Sequence, residues 1–128
     1  MTWLRTVADG HTGLDRVFGL RPDAYARFRE LLDLLPAGGI DTTTLDACRD
    51  RIDALLRFAP DPTAARELTA AQRAAVGYAE QCALDPHGLR DTDFDALHEH
   101  YDDAQIATLT LAVAMYDAQA RFSVALEV

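Results

Sequence analysis

The chain has 128 residues, is 49% hydrophobic and has a formal net charge of −9 with a pI near 4.7. That charge repels phosphate backbones and anionic lipid, so neither a nucleic acid nor a membrane surface is expected as partner. All 12 basic residues are arginine, and without lysine there is no side-chain Schiff-base chemistry and no pyridoxal phosphate enzyme of the usual kind.

The length fits one domain with a real core. The opening stretch has no long apolar run of the secretory kind, so a cytoplasmic protein is expected. Residues 1–20 are interrupted by Gly10, Gly13 and Gly19 and read as an irregular or briefly helical arm. Trp3, Leu4, Val17, Phe18 and Leu20 would dock that arm on the domain.

A first clear helix is expected over 22–35, with Pro22 in its first turn and Tyr25, Phe28, Leu31, Leu32 and Leu35 as its apolar stripe. Pro36, Gly38 and Gly39 end it. Asp41 and Thr42 to Thr44 offer caps for a helix over about 42–58, with Leu45, Cys48, Ile52, Leu55, Leu56 and Phe58 inward. Residues 59–67 hold two prolines and read as a loop. An alanine-rich helix follows over about 69–84, then a turn at 85–88. A short helix capped by Asp91 or Thr92 runs to about Tyr101, with Phe94, Leu97 and Tyr101 inward.

The last helix, 102–128, opens on Asp102 and Asp103. Ile106, Leu109, Val113 and Tyr116 form one apolar row, and Leu111, Met115, Ala118 and Phe122 form a second. A helix apolar nearly all round is expected to be buried, in the core or against another subunit. No strand pattern, repeat or long heptad run appears, so the expected fold is an all-α bundle of about five main helices.

The C-terminal half resembles the carboxymuconolactone decarboxylase / alkyl hydroperoxidase D-like family. The stretches AQRAAVGYAE (71–80), LHEHYDDAQIATLT (97–110) and RFSVALEV (121–128) carry it. Two earlier stretches, FGLRPDAYARFREL (18–31) and LDACRDRI (45–52), are similar more loosely. The resemblance implies an alkyl hydroperoxidase D-like helical fold that assembles with itself as a trimer or hexamer. It also implies a pocket beside the helix that bears, in redox members, a glutamate, a C-x-x-C pair and a histidine.

That motif is missing. Aligned from LDACRDRI without a gap, Asp46 stands at the glutamate, Phe58 and Asp61 at the cysteines, and Ala65 at the histidine. A second alignment sets RIDALLRFAPDP after the motif and deletes the motif helix altogether. Either way the disulfide relay lacks its nucleophile.

Three functions remain: acid–base chemistry on a small organic acid, as in the decarboxylase branch; a non-catalytic scaffold or small-molecule binder; and a peroxidase using Cys48 alone with an external thiol. Asp46 and His87 are the candidate proton-transfer residues, and Arg49, Arg51 and Tyr116 the candidate substrate contacts. Asp46, Arg49 and Arg51 read equally as surface ion pairs, His87 as a turn residue bonded to backbone, and Tyr116 as packing. Cys48 and Cys82 form no C-x-x-C and read as reduced core thiols. His98 and His100 flank Glu99, but two residues apart on a helix they face different ways and make no metal pair. No metal or cofactor motif is present.

Overall fold

The computed structural model describes residue 10 and residues 12–128. The expectation for Trp3 and Leu4 lies outside the described residues. Among those described, six α-helices and no strand are present: α1 (Gly13–Phe18), α2 (Pro22–Leu34), α3 (Thr42–Leu56), α4 (Ala70–Leu84), α5 (Asp91–His98) and α6 (Asp103–Leu126). The protein is all-α. None of these helices is long and apolar enough to cross a membrane.

Local chemistry sets most of the helix starts. Asp41 caps α3 by accepting from the Thr44 backbone N–H. Thr69 and Asp102 each close a reciprocal capping box, with Gln72 and Gln105 as the returning side chains. The start of α5 differs from expectation. Arg90 is the flanking residue, Asp91 lies inside the helix, and the Asp93 carboxylate accepts from the Arg90 N–H at 2.8 Å. This helix also stops at His98, three residues short of Tyr101, whose hydroxyl instead donates to the Ala71 carbonyl at 3.0 Å.

α6 packs most closely on α3, and α3 in turn on α4. The core gathers Ile52 and Cys48 from α3, Ala75 and Ala79 from α4, Leu97 from α5, and Leu109 and Val113 from α6. Alanines on α4 let the backbones approach, as the composition suggests. A turn at 35–38 closes against α6. There the Gln105 amide donates to the Gly39 carbonyl at 2.9 Å, and a Cβ on Gly38 would run into the Thr108 side chain.

α6 is buried on one face only. Its second row splits: Met115 is buried, whereas Leu111 and Phe122 are exposed. α2 meets the core less closely: none of its residues is buried, Phe28 and Leu32 pack on the core half-covered, Tyr25 is half-covered, Leu31 is exposed, and Leu35 is buried just past the helix end. The gap between α2 and the α3–α6 pair is what leaves room for a site.

Phe58 corrects an expectation. It does not continue the apolar face of α3 but sits beyond the helix end, 97% exposed. Ala59 N–H reaches the Ala54 carbonyl and Phe58 N–H the Leu55 carbonyl, so the helix closes in a Schellman arrangement with Phe58 at the left-handed position, φ +54°. Glycine normally fills that place because a Cβ is strained there. Phe58→Gly is therefore expected to raise stability by about 0.5–1 kcal/mol in urea unfolding. A loss of stability would mean that the ring is packed against something in solution.

Candidate functional site

The site begins with a polar stripe on an otherwise apolar helix. Tyr116, Gln119 and Ser123 follow one another on α6 at spacings of three and four, so they share a face. That face looks into the gap beneath α2. Tyr116 is 8% exposed and Ser123 7%. None of the three side chains makes a hydrogen bond among the described residues. Neither hydroxyl oxygen is sealed from solvent, so with no protein partner each takes its hydrogen bonds from water or from a ligand in the cleft.

α3 forms the opposite wall. A cleft of about 240 Å³ is lined by Asp46, Arg49, Tyr116, Gln119, Leu32 and Thr42. A second, of about 220 Å³, shares Arg49, Tyr116 and Gln119 and adds Asp50, Asp53 and Ser123. The Arg49 guanidinium lies 3.2 Å from Asp46 and 3.2 Å from Asp50. Asp50 also accepts from Arg66 at 2.8 Å. Burial alone would raise the Asp50 carboxyl, but the Arg66 and Arg49 hydrogen bonds outweigh it and hold it below the ordinary value.

Burial pushes the Tyr116 phenol above its ordinary value; Arg49 opposes the rise and Asp46 adds to it. At neutral pH the phenol is therefore a neutral donor aimed into the cleft. Beyond Gln119 and Ser123 the cleft widens into a groove of about 530 Å³ between α1, α2 and α6. There Asp15 accepts from Tyr25 at 2.6 Å and from Arg29 at 3.0 Å.

The expected site residues divide. Asp46, Arg49 and Tyr116 come together. Arg51 turns to the other side of α3, donating to Glu80 of α4 at 2.7 Å and lying 3.7 Å from Asp61. Thus Arg51 ties α3 to α4 and to the following loop. His87 is exposed in the 86–88 turn after α4 and lines none of these cavities. Gln119 and Ser123 were not anticipated. Their signal was present as two polar residues in register with Tyr116 on the buried side of the helix.

Burial holds both cysteine thiols above their ordinary value. Cys48 has no exposed surface, and burial pushes its thiol from an ordinary 9.0 to about 12. Burial also raises Cys82, with a Tyr78 hydrogen bond opposing and the Asp117 charge adding. Both thiols are free. Among the described residues no group of His, Cys, Asp and Glu is placed to hold a metal.

No protein-family model matches the sequence, and no curated protein matches it.

Proposed function

We propose that this chain binds a small polar molecule in the α3–α6 cleft, on a carboxymuconolactone decarboxylase-like helical scaffold that has given up thiol chemistry. The observation that carries the reading is the unpartnered row of Tyr116, Gln119 and Ser123 facing the cleft. The all-α order of helices is compatible with that scaffold. The full burial of Cys48 weighs against the single-cysteine peroxidase. A catalytic form of the same reading uses Asp46, 3.2 Å from Arg49 on the cleft wall, as proton acceptor. Self-association belongs to the proposal as well: Leu84, Leu111 and Val124 remain exposed on a single chain.

Stability and binding should respond in opposite ways if the stripe serves a ligand. Tyr116→Phe and Gln119→Leu remove groups that have no protein partner, so each is expected to change unfolding free energy by less than about 0.5 kcal/mol. The same substitutions should weaken by about tenfold any ligand found by amide chemical-shift screening of the labelled protein against small acids, amines and polyols. A cost of about 2 kcal/mol for Tyr116→Phe, with unchanged ligand binding, would make the phenol a structural group and end the proposal.

A further inference from the structure

The charges around the cleft say which kind of molecule it suits. An anion would be drawn by a guanidinium whose charge is not already balanced by a carboxylate. Arg49 is already shared between Asp46 and Asp50, Arg57 donates to Asp53 at 2.9 Å, and Arg29 is held by Asp15. Across the two clefts and the groove, the carboxylates of Asp15, Asp33, Asp46, Asp50 and Asp53 face the guanidiniums of Arg29, Arg49 and Arg57. Arg66 reaches Asp50 from outside, and an excess of negative charge still remains. Asp33 makes no ion pair or hydrogen bond among the described residues. The field of the whole chain, with its net −9, has the same sign.

An apolar pocket adjoins this acidic groove. Leu14, Phe18, Ala24, Phe28 and Phe122 wall a space of about 180 Å³, with the Tyr25 ring stacked on Phe18 at 5.4 Å and Phe122 tilted against Phe18 at 5.5 Å. Gln119 lines this pocket, both clefts and the groove, so all four meet at its side chain. From Tyr116 to Ser123 the helix rises about 10 Å. The space therefore suits an elongated molecule with one apolar end and one charged end.

We propose that the ligand is an organic cation with an apolar tail: an ammonium group among the α3 carboxylates, Tyr116 and Gln119, and an aryl or alkyl group in the Phe18–Phe122 pocket. This rests on the binding reading above and adds the ligand's chemical class, in place of the organic acid that the family resemblance implies. The nine-tenths burial of the unpartnered Tyr116 sets this acidic wall apart from an ordinary solvated helix face.

Three probes with one common tail separate the alternatives: phenylbutylammonium, phenylbutyrate and phenylbutanol, titrated into the full-length labelled protein at low salt. The ammonium is expected to bind about tenfold tighter than the carboxylate, with the alcohol between them, and to lose that advantage as salt rises. Its addition should shift the Gln119 side-chain amide and the Tyr116 ring resonances. Asp33→Asn should reduce the ammonium's advantage about twofold, and Phe122→Ala should weaken all three probes alike. If phenylbutyrate or phenylbutanol binds as tightly as the ammonium at these residues, the cleft stands as a binding site but the cation assignment is overturned. If no probe moves Gln119 or Tyr116, the binding reading and the cation assignment fall together.

Discussion

Leu109→Ala lowers the unfolding free energy by about 3–4 kcal/mol, while Leu111→Ala, two residues along the same helix, changes it by less than about 1 kcal/mol. Leu109 has no exposed surface and belongs to the core shared by α3, α4, α5 and α6. Removing its isobutyl group takes away apolar contact and leaves a cavity that the tightly packed α3–α6 seam cannot close. Leu111 is 43% exposed and keeps much of its hydration in the folded chain. Denaturant titration of the two variants measures the difference directly. Equal costs would mean that Leu111 is buried in an assembly, which would locate the surface of self-association proposed above.

Cys48 stays unmodified in the native protein and becomes alkylated only on unfolding. A rise of its thiol from 9.0 to about 12 reduces the thiolate at neutral pH about a thousandfold, and the side chain has no surface for a reagent to approach. Mass-resolved alkylation with and without a low dose of hydroperoxide tests this, with half-buried Cys82 as the internal comparison. Rapid labelling of Cys48 that hydroperoxide prevents would restore the peroxidase reading and remove the physical ground for setting it aside. The pH dependence follows from the same shift. A thiol raised in the folded state binds its proton more tightly there than in the unfolded chain. Its contribution to stability is complete below pH 9.0 and is lost as pH rises from there towards about 12.

The all-α class and the helix positions were legible because they are local properties. The spacings of Leu45, Cys48 and Ile52, or of Ile106, Leu109 and Val113, set a helical period whatever packs on them. Asp41, Thr69 and Asp102 announce helix starts through side-chain oxygens that reach N–H groups three residues on. Phe58 shows where this reasoning stops. Its spacing continues the α3 stripe, yet the chain leaves the helix at Leu56, and the ring that would have met the core meets solvent.

The site was less legible, for a related reason. Arg49 and Arg51 are nearly equivalent in sequence, but two positions apart on a helix they point about 200° apart. One therefore joins Asp46 and Tyr116 at the cleft, and the other joins Glu80 on the far side. His87 looked accessible on its turn, and it is, but away from the cleft. Gln119 and Ser123 are not legible as site residues in the sequence, because a polar residue on an apolar helix acquires meaning only once its surroundings are known.

By itself the sequence determined the helical class, the caps of α3 and α6, the absence of lysine, the absence of a C-x-x-C pair and the acidic balance, all of which are properties of composition or of neighbours within a turn or two. Only the tertiary structure decided which face of α6 is covered, which guanidinium looks into the cleft, how completely Cys48 is sealed, and that α2 meets the core only through half-covered side chains. Those outcomes depend on contacts between segments far apart in the chain. Periodicity can show that a helix has an apolar face, but it carries no information about which neighbour covers that face or how much space is left between them.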